Sequence, residues 1–314
     1  MASKEDVVLT EEAPVPENKS TVVLEKEERP QEAPVLEKKP LSETMNARIL
    51  GTGTETLVLG HGFGVDQSIW DKIFPSLVGR YRVVLFDWFF SGTVKDPNLF
   101  DPKKYCSYYP YAEDLISLLD EMGLKNVILI GHSMSAMIGC IASVKRPELF
   151  EKLVLVLASP RYLNTEDYEG GFDAAAVDGM IASIESDYNL WATSFPHAVV
   201  DAKDPASVSR FSEYLLKMRP EIVPSLVRDI YYADYRDVLE NVTAPCALVQ
   251  VEKDIVVPTS VAHFMQEKIG GGKSKMETTL EMIKGVGHFP MLTEHEELLG
   301  ALGRILGFDL ERPE

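Results

Sequence analysis

The sequence predicts an α/β fold: a mostly parallel sheet with helices on both faces and a block of helices inserted near the middle of the chain. Three observations carry this. From Met45 onward, short β-rich apolar runs alternate with helical periods, the pattern of strands joined by crossover helices. The alternation breaks after Pro160 for about 75 residues, to about Asp234, where helical patterns recur without a convincing strand. Finally, 314 residues, 45% of them hydrophobic and 9% aromatic, suit one large α/β domain with an insertion.

Taken in order, residues 1–42 are dominated by Glu, Lys, Pro and Val, contain no aromatic residue and sustain no apolar period; they read as a disordered acidic tail. Six basic and ten acidic residues give this tail −4 of the formal charge of −18. Such acidity is unlike an organelle transit peptide. Glu12-Ala13-Pro14-Val15 recurs as Glu32-Ala33-Pro34-Val35, but two copies build no repeat core. Residues 43–160 and 235–314 form the expected core, with strands at 56–59, 82–86, 127–130, 153–157, 247–251 and near 277–283. Between them, Leu115, Leu118, Leu119 and Met122 follow the spacing of a helix buried on one face, which Gly123 closes. The insertion, 161–234, has helical patterns at 173–185, 188–192, 206–218 and 221–232, with Pro205 and Pro220 where helices begin.

Composition narrows the function. A charge of −18 repels a phosphate backbone, so nucleic acid is not an expected partner. No stretch approaches the roughly 20 apolar residues of a membrane helix, and no secretory signal is present; the expectation is a soluble intracellular protein in cytoplasm and nucleus. Cys106, Cys140 and Cys246 are odd in number without CxxC spacing, which suggests neither a disulfide framework nor a zinc site.

The sharpest chemical signal is Gly131-His132-Ser133-Met134-Ser135, between the strand at 127–130 and a helix expected near Ala136. It resembles the nucleophile elbow of the α/β-hydrolases, G-x-S-x-G, with Ser135 in the last glycine position. A sharp, strained turn demands small residues on both sides, and the helix start behind it favours developing negative charge. A plain strand-to-helix turn would also accommodate Gly-His-Ser. His61-Gly62-Phe63-Gly64 follows the first strand, where this fold places its oxyanion loop, so the backbone N–H groups of Phe63 and Met134 are the expected hole. An acid and then a histidine should follow in the chain. His288 stands in the glycine-rich loop Gly285-Val286-Gly287-His288 after the last strand, whereas His197, His263 and His295 fall on helical patterns or in the insertion. Asp254, just past the strand at 247–251, is the expected orienting acid; Asp229, Asp234 and Asp237 read as solvated faces or caps. A Ser133–His288–Asp254 hydrolase site follows, with no metal or organic cofactor implied.

Residues 45–310 further resemble the plant strigolactone-receptor and karrikin-receptor hydrolases and their bacterial relative RsbQ. The resemblance is carried by the segment from His61 to Trp70, by Gly131 to Gly139 with its serine in the final elbow position, by Ser159-Pro160-Arg161-Tyr162-Leu163-Asn164, Gly170-Gly171-Phe172, Asn189-Leu190-Trp191, Met218-Arg219-Pro220 and Gly287-His288. It implies an α/β-hydrolase fold with a four-helix lid over an apolar pocket, and slow attack of the serine on a butenolide lactone. A lid change that recruits an F-box protein and a repressor is implied with it. By position, Tyr162, Phe172, Trp191, Phe195, Tyr231, Ile255, Val256 and Phe289 match the family's pocket-lining places. Such aromatic and apolar residues suit a small hydrophobic ester. Trp88, Phe89 and Phe90 are bulkier than their counterparts in those receptors, and the expectation is a reshaped rim or partner surface. A plain carboxylesterase or lactonase, and a ligand-binding module whose chemistry is incidental, stay open on the sequence. Charge and coverage of the pocket favour a monomer.

Overall fold

The structure is a computed structural model that describes residues 39–272 and 278–308. The tail expected over 1–42 lies outside the described residues as far as Lys38, and its end needs correction. Leu41–Thr44 forms a one-turn helix, α1, whose Leu41 and Ser42 amides donate to the Glu121 carboxylate at 2.6 and 2.9 Å. A distant carboxylate satisfies the free N–H groups of a helix start, and so short an element leaves no periodicity to read.

Seven strands form one sheet: β1 Arg48–Leu50, β2 Thr56–Gly60, β3 Arg82–Leu85, β4 Val127–His132, β5 Phe150–Val156, β6 Cys246–Lys253 and β7 Thr279–Val286. Their order is β1-β3-β2-β4-β5-β6-β7, with β1 antiparallel to β3 and every other pairing parallel. Central strands β2 and β4 are buried along their whole length. Burial on both faces is why they read as continuous apolar runs rather than alternating ones. Strand β1 was not expected: it is three residues long and mostly exposed. Residue 277, where the last strand was expected to begin, lies outside the described residues.

The core helices are α2 Tyr108–Glu121 and α3 Met134–Lys145, and after the insertion α9 Arg236–Leu239, α10 Thr259–Gly271, α11 Pro290–Thr293 and α12 His295–Leu306. Helix α3 lies close against β4, where a Cβ on Gly139 would sit 2.2 Å from Leu129 Cδ2 and force that side chain to move. Between β5 and β6 the insertion contributes α4 Ala174–Ser186, α5 Tyr188–Ser194, α6 Pro196–Val199, α7 Pro205–Lys217 and α8 Val223–Tyr231. One-turn α6 is additional to the four helices expected. Pro205 opens α7 with the Asp204 carboxylate accepting from the Ser207 amide at 3.0 Å. The two roots of the insertion meet, Arg161 pairing with Asp234 as a β-bridge and as an ion pair of 2.6 Å.

Trp88, Phe89 and Phe90 form no rim and no partner surface, contrary to expectation: at most 4% of any of them is exposed. Trp88 meets Phe86 and Tyr111 in T-shaped contacts, with centroids 4.8 and 5.5 Å away. Their turn is drawn inward because the buried Asp87 carboxylate accepts hydrogen bonds from the Gln67 amide and from the side chains of Asn46, Gln67 and Thr93. Bulk at these positions fills the core. Cys140 and Cys246 are buried, Cys106 is exposed, and all three are free. Among the described residues no helix is long and apolar enough to cross a membrane.

Candidate active site

Ser133 sits between β4 and α3 with φ 55° and ψ −119°, a backbone strain of about 1–3 kcal/mol that a non-glycine residue holds only under external constraint. Part of that constraint is visible. The Ser133 amide donates to Val156 O at 2.8 Å. A Cβ on Gly131 would meet the Ala136 amide nitrogen at 2.7 Å, so strand and helix can only turn this tightly around glycine. Helix α3 begins at Met134, two residues earlier than expected, and its first amide therefore has no acceptor within the helix.

The structure brings Ser133, His288 and Asp254 together. Ser133 Oγ lies 2.9 Å from His288 Nε2, and His288 Nδ1 lies 2.6 Å from Asp254 Oδ2. The second carboxylate oxygen of Asp254 accepts from the Val256 amide at 2.8 Å. All three side chains are nearly buried, and the remoteness of the carboxylate from water favours the tautomer with the proton on Nδ1 and Nε2 free to accept from serine. The imidazole loop is tied on two sides. Gly287 donates to Lys253 O at the end of β6, and the His288 amide donates to Val199 O of α6 at 2.7 Å. Beneath it, His132 Nε2 donates to the His288 carbonyl at 2.8 Å. Burial, reinforced by the neighbouring imidazole, holds His132 well below the ordinary histidine pKa, so it is a neutral prop.

Loop 61–64 passes directly over this turn. A Cβ on Gly62 would fall 2.7 Å from His132 Nδ1 and 3.1 Å from Ser133 Cβ. The Phe63 amide donates to no acceptor among the described residues, which leaves it and the Met134 amide as candidate oxyanion donors.

A narrow apolar cavity of about 30 Å³ opens over Ser133 and His288. Of the expected lining residues, Tyr162, Phe195, Tyr231, Val256 and Phe289 face it, and Phe63 adds its ring. Phe172 and Trp191 stand one layer behind: Phe172 meets Tyr231 edge to face at 4.9 Å, and Trp191 stacks on Phe195 at 5.0 Å. Ile255 is corrected. It is 59% exposed and outside the cavity, because Asp254 turns inward to the imidazole and its neighbour is thrown to the surface. The sequence reading missed Val199, Phe211 and Ile230, which complete the wall. Phe211 was legible only as one of the apolar positions Val208, Phe211 and Leu215 of an amphipathic helix; that its face turns to a cavity is decided by Phe289, 4.2 Å away. The Tyr162 hydroxyl lies 3.2 Å from Ser133 Oγ, and burial raises its pKa far enough to keep it a phenol.

The other candidates lie apart. His197 and His263 are exposed and His295 begins α12. Asp234 binds Arg161 and Arg236. Asp229 is not the solvated residue expected: it is partly buried and its pKa is pushed up to about 6. Among the described residues no three His, Cys, Asp or Glu side chains are grouped to hold a metal ion.

Comparison with known proteins gives the family. Residues 57–301 match the model of the alpha/beta hydrolase family. The chain is 42% identical to the strigolactone esterase D14 of Arabidopsis thaliana over 84% of its own length and 97% of that protein. It is 40% identical to the karrikin insensitive 2 receptor CA of Petunia hybrida, over 86% and 98% of the two chains. Among solved structures, a hydrolase from Oleispira antarctica superposes with a TM-score of 0.80 at 28% identity, covering 86% of this chain and 97% of that one. The elbow, the order of the strands and these matches together place the chain in the α/β-hydrolase family.

Proposed function

We propose that the chain is a serine hydrolase of a small apolar ester or lactone of the butenolide type, which also acts as a receptor for that ligand through its helical insertion. The observation that carries the hydrolytic reading is the unbroken line from Ser133 Oγ through His288 to Asp254 at the floor of an apolar cavity. In this reading Ser133 attacks the carbonyl carbon while His288 Nε2 takes its proton. The oxyanion turns to the amides of Phe63 and Met134. His288 then protonates the departing oxygen, and water attacks the acyl-serine by the same route. The Tyr162 hydroxyl stands where it can donate to the substrate beside Ser133. The receptor reading is supported by relatives named as a strigolactone esterase and a karrikin receptor, and by the bond from the His288 amide to Val199, through which a ligand that reorders the imidazole loop displaces the insertion. An F-box protein and a repressor are the proposed partners of the displaced form, in cytoplasm and nucleus.

The test is hydrolysis of a fluorogenic butenolide ether by the wild type and by Ser133→Ala, with intact-protein mass recorded alongside. Slow turnover that falls by about 10³-fold or more in the variant is expected, with a ring-sized mass adduct on the wild type alone. Turnover on simple esters in the common range of about 1 to 10³ s⁻¹ would point to a plain esterase, and a loss below about tenfold in Ser133→Ala would mean another nucleophile.

A further inference from the structure

The Phe63 amide is aimed by the peptide unit it belongs to. Gly62 C=O and Phe63 N–H belong to one planar peptide unit and point in opposite directions, so whatever holds the carbonyl sets the amide. His61 Nδ1 lies 2.9 Å from Gly62 O. Its other ring nitrogen, Nε2, accepts from the Trp88 backbone amide at 3.1 Å, which leaves the ring proton on Nδ1 to donate. Burial keeps this imidazole neutral despite the nearby Asp87, and only the neutral ring can do both. The His61 main-chain carbonyl is held as well. It accepts from the Ser135 hydroxyl and from Trp88 Nε1 at 3.1 Å, while the same indole N–H lies 2.8 Å from Ser135 Oγ. One tryptophan therefore grips His61 at its ring and at its carbonyl, and closes a ring of hydrogen bonds with the hydroxyl at the last elbow position. Every member of the ring is buried, where an unpaired donor costs about 1–3 kcal/mol, so the arrangement resists being opened.

Resting on the hydrolytic reading above, we propose that Trp88 is a positioning residue for the reaction: with Ser135 it fixes His61 and thereby aims the Phe63 amide at the oxyanion. The residue acts through the loop and touches no substrate. Its effect belongs to the transition state, where the oxyanion exists, and not to ground-state binding.

Trp88→Phe keeps an aromatic ring between Phe86 and Tyr111, though a smaller one, and removes the indole donor. On the fluorogenic butenolide ether, a fall in kcat of roughly tenfold or more with KM within about twofold is expected, since loss of a whole oxyanion donor costs roughly 10²–10³-fold. Ser135→Ala combined with it should cost little more than the worse single variant, because both groups act on one carbonyl. The amide resonance of Phe63 in a ¹⁵N–¹H spectrum should move in Trp88→Phe. A kcat that is unchanged, or a rise in KM alone, overturns the assignment, even with a lower melting temperature. Cleavage that survives Ser133→Ala overturns the hydrolytic reading instead; the Phe63 resonance then decides for Trp88, and an unmoved resonance overturns its role.

Discussion

Gly62 is the point where the candidate oxyanion loop and the nucleophile turn approach most closely. A methyl group there meets His132 Nδ1 at 2.7 Å, and His132 cannot yield without releasing the His288 carbonyl. Gly62→Ala should therefore lower kcat/KM by about 10²-fold while the melting temperature moves by only a few degrees; steady-state kinetics beside a thermal melt decide it, and unaltered kinetics would show that the loop has room to move. Asp229 offers a test of sign in stability. Its pKa of about 6 in the fold stands above the ordinary 3.8, so the residue favours the fold below about pH 4, and that contribution is lost as the pH rises through 6. Asp229→Asn should raise the melting temperature at pH 8, modestly because solvent reaches the group, and the gain should vanish near pH 4. His61 and His132 act in the opposite sense. Their lowered pKa values stabilise the fold above about pH 6.5 and that stability declines in acid. Ser133, His288 and Asp254 were legible at this scale because chain order and strand ends constrain them; Ile255 was not, since adjacency in sequence says nothing about which way a side chain turns after a strand.

Among elements, the junction of α6 with the imidazole loop links the insertion to the site. Gly287 has φ +96°, and a Cβ there would meet Val199 O at 2.9 Å and Val200 Cα at 3.1 Å. Gly287→Ala should strain the loop and press α6 away, lowering kcat by about tenfold and speeding hydrogen exchange of the His288 amide, which is bonded to Val199. Faster exchange at full kcat would show that the insertion moves independently of the imidazole. The longer elements announced themselves, α2 by its apolar stripe and α7 by the proline at its start. Strand β1 and helices α1 and α6 span three or four residues each, too short to repeat the pattern that would reveal them.

For the whole molecule, a net charge of −18 opposes close approach of like copies, and the cavity is already covered by the chain's own insertion. Sedimentation at micromolar concentration should give a monomer at low and at moderate salt; a dimer that persists at low salt would overturn this. What the sequence determined by itself was whatever depends on local order: the parallel α/β plan, the elbow at Ser133, the ranking of His288 over three other histidines and the place of the insertion. The tertiary structure alone decided what depends on contacts between distant segments. It turned Phe211 and Ile230 to the cavity and Ile255 to the solvent. It also carried Trp88, which read as a surface feature, into the core against Ser135, 47 residues further along the chain. The physical reason is that periodicity and propensity act over a few residues, whereas a buried donor is satisfied by whichever acceptor the packed fold brings to it.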